Sequence, residues 1–144
     1  QGPDLLAEPP DIEMAVKRAR LPAHAQREIG DVLLDQRIAA GIGNIYKSET
    51  LFECRIHPRM HVGDLGEEQL RGLYEKGAKL MRLNLLTRGR ATVPLRRRAQ
   101  PTSQKFWVYG RAGQPCLDCG TPIERFLQGD MARSTYFCPR CQSR

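Results

Sequence analysis

Two pairs of cysteines in the last thirty residues are the part of this sequence best suited to chemistry. Cys116 and Cys119 form one CxxC, Cys138 and Cys141 form another, and eighteen residues separate the pairs. Two thiolates two residues apart on a tight turn can share one ion, and a second such turn completes a tetrahedron. Four sulfur ligands close the site, which leaves no open position for a metal-bound nucleophilic water. Two disulfides would use the same residues, but in a chain expected to be intracellular the reducing environment argues against them. A redox CxxC would not account for two pairs. The spacing therefore predicts one structural Zn2+ per chain, held by Cys116, Cys119, Cys138 and Cys141. The fifth cysteine, Cys54, sits in an apolar helical pattern and reads as a small buried hydrophobe.

Around the metal, Thr121–Ile123 lead into a first strand, Gln128-Gly129-Asp130 provides a turn, and Ser134–Phe137 form a second strand. A β-hairpin zinc finger of this size has little core, so the ion supplies much of its stability. Phe106–Tyr109 form a strand-like apolar run that opens it. Upstream, the periodicity is helical. A short helix covers 11–20 with Asp11 as its cap, and a second runs from Ala25 to Ile38 with Ile29, Val32 and Leu33 inward. A third starts at Asn44 and stops before His57-Pro58. A fourth covers 67–86, with Asp64 and Glu67 as a capping box and Leu70, Leu73, Leu80 and Leu83 along one side. The fold class is mainly α, a helical domain followed by a small β-hairpin zinc finger. The expected division is a linker over 1–10, the helical domain over 11–86, a basic linker over 87–105 and the finger over 106–144. The proline-rich opening, without an initiator methionine, reads as the junction of a chain whose N-terminal part is missing.

Charge points to the partner. The chain has 144 residues, with Lys and Arg outnumbering Asp and Glu by 23 to 16, for a net charge of +7. Such an excess favours a polyanion, nucleic acid first and an acidic membrane surface second. No apolar run reaches membrane-spanning length and no signal peptide opens the chain, so a soluble, intracellular protein is expected. Residues 87–105 carry six basic side chains and no acid, suited to phosphate contact. The turn "GIGN" ahead of a helix has small residues that let a phosphate approach free N–H groups, and Asn44 could add its side-chain amide. The same turn would also serve as an ordinary helix connection. Arg133 could be surface charge or a bidentate phosphate ligand. His24, His57 and His61 are scattered and read as surface or packing residues.

The stretch "LLDQRIAAGIGNIYKSETLF", Leu33 to Phe52, followed by "IHP", resembles the helix–two-turn–helix motif of the formamidopyrimidine-DNA glycosylase and endonuclease VIII family. "VYGRAGQPCLDCGTPI" and "ARSTYFCPRCQ" resemble its C-terminal zinc finger, and "GPDLL" the junction after its first domain. The resemblance covers essentially the whole chain. It implies a bacterial, nucleoid-associated base-excision repair enzyme, a DNA glycosylase and AP lyase that flips an oxidised base out of duplex DNA. Such enzymes then nick the strand by β,δ-elimination. It also implies phosphate contacts by Asn44 and Arg133, with Arg133 assisting δ-elimination, and a monomer on double-stranded DNA containing an oxidised base or abasic site. The family's N-terminal proline amine, its neighbouring acid and its hairpin lysine have no counterpart here. Pro3 follows two residues and carries no free amine, so these residues are expected to bind DNA and zinc without excising bases. The short 87–105 segment, "LLDQ" and "SQKFWVYG" resemble the endonuclease VIII branch, which implies oxidised pyrimidines. The competing expectations are a stand-alone zinc-containing DNA-binding module without catalysis and, more weakly, a zinc-stabilised protein-interaction domain.

Overall fold

The structure is a computed structural model and describes residues 1–87, 89–98 and 105–144. Residues 88 and 99–104 of the expected basic linker lie outside the described residues. Among the described residues, four α-helices precede one hairpin: α1 (Ile12–Ala19), α2 (Ile29–Leu34), α3 (Asn44–Glu53) and α4 (Glu67–Thr87), then β1 (Glu124–Gln128) and β2 (Arg133–Phe137). The strands pair antiparallel, with Gln128 opposite Arg133 and Glu124 opposite Phe137. Among the described residues, no helix is long and apolar enough to cross a membrane.

The helical core gathers Ala15, Val16 and Ala19 from α1 and Ile29, Val32 and Leu33 from α2. Leu51 from α3 and Leu70, Leu73 and Tyr74 from α4 complete it. Asp11 caps α1 as expected, its carboxylate accepting from Met14 N–H at 3.0 Å. Residues 1–10, expected as a linker, are tied to this core. Leu5 is fully buried, and the Pro3 carbonyl and Leu5 N–H pair with Ala40 at 2.8 and 3.0 Å.

Several expectations need correction. The helix expected over Ala25–Ile38 is only Ile29–Leu34, preceded by a 3-10 turn at Pro22–His24. Residues 25–30 spend their hydrogen bonds on the 58–63 segment instead: Gly63 N–H donates to Ala25 O, Val62 N–H to Arg27 O, and Ile29 N–H to Met60 O. α4 is not capped by an Asp64–Glu67 box; Gln69 Oε1 accepts from Gly66 N–H at 2.9 Å. Its inward face is Leu70, Leu73, Tyr74, Ala78, Leu80 and Met81, whereas Leu83 is 47% exposed. Cys54 is only half-buried, packed at the edge of the helical core. Phe106–Tyr109 pair with no strand; their backbone is held by a side chain of α3, as described next.

Candidate nucleic-acid interface and zinc centre

The finger is fastened to α3 by three consecutive polar residues, Lys47, Ser48 and Glu49, each fully buried. Glu49 accepts from three successive backbone N–H groups, those of Trp107 at 2.7 Å and of Val108 and Tyr109 at 2.9 Å. Thr92 Oγ1 donates to it as well. Burial pushes the Glu49 carboxyl pKa upward, and these donors work against that by favouring the charged form. Ser48 Oγ accepts from Tyr136 N–H at 3.2 Å, and Lys47 Nζ donates to Ser134 O at 3.3 Å. Phe52 stacks on Trp107 at 5.3 Å.

Two buried glutamines complete the dock. Gln128 Nε2 donates to Pro58 O and to Glu28 Oε1, each at 2.9 Å, while its Oε1 accepts from Thr135 Oγ1 at 2.7 Å. Gln142 Nε2 donates to Ile56 O at 3.0 Å, and its Oε1 accepts from Cys138 N–H at 2.8 Å. Amides suit such a place because one group both donates and accepts, leaving no buried charge. None of these docking residues stood out from the sequence. The signal available was that polar residues fall on every side of α3, which a helix with one solvent face would not show.

The docking places the glycine turn and the hairpin along one cleft of about 490 Å3, lined in part by Asn44, Arg133, Arg27, Asp31, Arg37 and Met131. Gln36 shapes the turn: its Oε1 accepts from Gly41 N–H at 2.8 Å and its Nε2 donates to Leu34 O and Ile42 O at 2.9 and 3.1 Å. Gly41 has φ 131, a conformation that favours glycine. Gly43 is the N-cap of α3 and has no capping side chain. A Cβ there would meet nothing within 4 Å, so the helix N-terminus is left uncovered. Asn44 is therefore the first helical residue rather than the cap. Its Oδ1 is buried without a hydrogen-bond partner among the described residues.

Arg133 is the first residue of β2, just past the hairpin turn. It is exposed, and its guanidinium has no hydrogen bond or ion pair among the described residues. Of the three acids that line the cleft, Asp31 and Asp35 are paired, and Asp130 of the hairpin turn has no ion pair among the described residues. Arg27 pairs with Asp31 and Asp35 at 2.9 Å each, and Arg37 pairs with Asp35 at 2.8 Å. Hydrogen bonds from Arg37 and then Arg27 hold the Asp35 carboxyl well below the usual carboxylate range.

The four expected ligands converge at the far end of the finger. The Sγ atoms of Cys116, Cys119, Cys138 and Cys141 all lie within 4.8 Å of one another. Cys116 and Cys141 are 3.8 Å apart, and Cys119 and Cys138 are 3.5 Å apart. A tetrahedron with Zn–S of about 2.3 Å has edges of about 3.8 Å, whereas a disulfide needs about 2.05 Å. Asp118 N–H and Cys141 N–H point at Cys116 Sγ and Cys138 Sγ at 3.4 and 3.3 Å, the donors a thiolate needs. Gly120, with φ 80, makes the turn after the first pair. The donor set fits one structural zinc. Asp118 ties this knuckle to Arg55, just past α3, at 2.5 Å and to Arg97 of the 87–105 segment at 2.7 Å. The histidines take no part: His57 packs on Phe137 at 4.7 Å, and His24 Nδ1 lies 3.0 Å from Arg27.

A helical unit with this glycine turn and a four-cysteine hairpin finger defines a class of DNA-repair protein. Residues 1–94 match the formamidopyrimidine-DNA glycosylase H2TH domain, and residues 113–144 match the zinc finger found in FPG and IleRS. The chain belongs to the formamidopyrimidine-DNA glycosylase and endonuclease VIII family. It is 43% identical over 144 residues to a probable endonuclease 8 2 of Streptomyces coelicolor, covering 99% of this chain and 49% of that protein. It is 39% identical over 142 residues to the DNA-(apurinic or apyrimidinic site) lyase Nei2 of Mycolicibacterium smegmatis, covering 99% and 52%. Among solved structures it superposes on the MutM (Fpg) protein of Thermus thermophilus with a TM-score of 0.75 at 35% identity, covering 98% and 53%. It also superposes on the Lactococcus lactis Fpg in complex with DNA containing an abasic site, with a TM-score of 0.78 at 26% identity, covering 99% and 51%. The chain spans about half the length of these relatives.

Proposed function

We propose that these residues are the DNA-binding half of a base-excision repair glycosylase and AP lyase that removes oxidised bases, pyrimidines first, and nicks the strand by β,δ-elimination. The carrying observation is the cleft in which the uncovered N-terminus of α3, Asn44 and the unpaired Arg133 face one space. The N–H groups at the start of α3 bring the positive end of its dipole to a phosphate. Asn44 adds an amide, and Arg133 adds a bidentate guanidinium from the opposite wall. At a phosphate undergoing elimination, the same guanidinium stabilises the departing charge. Residues 106–144 act as the finger that presents Arg133, and 11–86 as the helix–two-turn–helix unit. The protein acts as a monomer on double-stranded DNA. These 144 residues act as the part that grips the strand.

Fluorescence anisotropy on a duplex with an abasic-site analogue tests this reading. Arg133→Ala and Asn44→Ala should each weaken binding without lowering the melting temperature, and Arg133→Ala should reduce the salt slope by about 1. Near-wild-type affinity in both variants would defeat the phosphate assignment.

A further inference from the structure

Arg27 lines the cleft but spends its charge on the protein's own acids. Nη2 donates to Asp31 Oδ2 and Nη1 to Asp35 Oδ2, each at 2.9 Å, and Nη1 lies 3.0 Å from His24 Nδ1. Its backbone is fixed as well: N–H donates to His24 O at 3.0 Å, and the carbonyl accepts from Val62 N–H at 2.9 Å. The two aspartates differ in what else holds them. The Asp35 side chain is 6% exposed and keeps a second arginine, Arg37, at 2.8 Å. The Asp31 side chain is 36% exposed, and Arg27 is its one ion pair among the described residues. The hairpin crowds Asp31 from the other side: a Cβ on Gly129 would stand 2.5 Å from its Oδ1.

Three arginines line the cleft, Arg27, Arg37 and Arg133, and three aspartates, Asp31, Asp35 and Asp130. Their charges balance. A phosphate would therefore be drawn in by the positive end of α3 and by directed hydrogen bonds, not by a surplus of cations. Such a site tolerates little added negative charge. Without Arg27 the lining would be one charge negative, with Asp31 unpaired on the same cleft as the unpaired Asp130. At about 10 Å and an effective dielectric constant of about 20, partly screened by salt, one such carboxylate weakens phosphate binding by about tenfold.

We propose that Arg27 is the counter-charge that lets this cleft accept a phosphate. It acts through Asp31, cancelling the negative charge of a carboxylate that is open to the cleft. The inference rests on the DNA-binding reading above and deepens it. Arg27 is thus a positioning residue whose contribution to binding is electrostatic. Asp35 needs it less, because Arg37 remains paired with that carboxylate.

The test is anisotropy of the zinc-loaded chain on the abasic-analogue duplex at low and at high salt, with each variant's fold checked by circular dichroism and melting temperature. Arg27→Gln should bind about tenfold more weakly than wild type at low salt, and the gap should shrink to about threefold or less at high salt. The double variant Arg27→Gln/Asp31→Asn should return to within about threefold of wild type at low salt, although it has no ion pair at this place, because the charges of the lining balance again. Arg27→Lys, which keeps the cation but not the fork, should lose less than Arg27→Gln. A residue needed only for packing would give the same loss at both salts and no recovery in the double variant, and that result overturns the assignment. Failure of both Arg27→Gln and the double variant to fold would overturn it too, since stability would then be its role. Failure of the wild type to bind the duplex at low salt would instead overturn the DNA-binding reading, and this inference with it.

Discussion

Glu49 shows how much one side chain can fix. A carboxylate has about four acceptor sites, and here Trp107, Val108, Tyr109 and Thr92 supply four donors. The chain segment that enters the finger is thereby locked onto α3 in one register. Replacing Glu49 with Gln turns an acceptor into a donor facing other donors. Glu49→Gln should cost about 2–3 kcal/mol of stability, measured by urea denaturation. It should also weaken DNA binding, because the finger that carries Arg133 loses its orientation. Unchanged urea stability would mean that the 106–109 segment is held by packing alone.

At the scale of elements, α3 serves as a beam with two duties. Its N-terminus faces the cleft, while Lys47–Glu49 bolt on the finger. α2 meets the hairpin more closely still. An ideal Cβ on Gly30 would lie 2.2 Å from the Gln128 side-chain oxygen. Helix propensity alone favours Gly30→Ala by about 1 kcal/mol. The clash sets against this the loss of Gln128's buried hydrogen bonds to Pro58 and Glu28. Gly30→Ala should therefore lower the melting temperature, with a net loss of about 1–3 kcal/mol. A rise in melting temperature would show that the hairpin yields at no cost.

For the whole molecule, the zinc and the dock stabilise different things. The ion shapes the two knuckles, and the buried polar groups of α3 and the two glutamines seat the finger on the helices. The helical core of α1, α2, α3 and α4 contains none of the four ligands. Chelation should therefore abolish DNA affinity while most of the helical circular dichroism persists, with one zinc recovered per chain by elemental analysis. Complete loss of helical signal on chelation would mean that the helices depend on the finger.

The metal centre was legible in the sequence because four ligands at two short spacings are a local pattern, and a tight turn brings each pair together without help from the rest of the fold. The helix after the glycine turn and the hairpin were legible for the same reason, since turn residues and periodicity act over a few positions. The shortened α2 was not legible, because residues 25–30 exchange helical hydrogen bonds for partners some thirty residues away. Nor were Glu49, Gln128, Gln142 and Lys47, whose partners across the dock lie 70 and 100 positions away for Gln128 and 43 to 87 for the others. Sequence by itself determined the zinc ligands and the local elements, which short-range geometry dictates. Only the tertiary structure decided that Asn44 and Arg133 share a cleft, because burial and long-range hydrogen bonding exist only once the finger is docked.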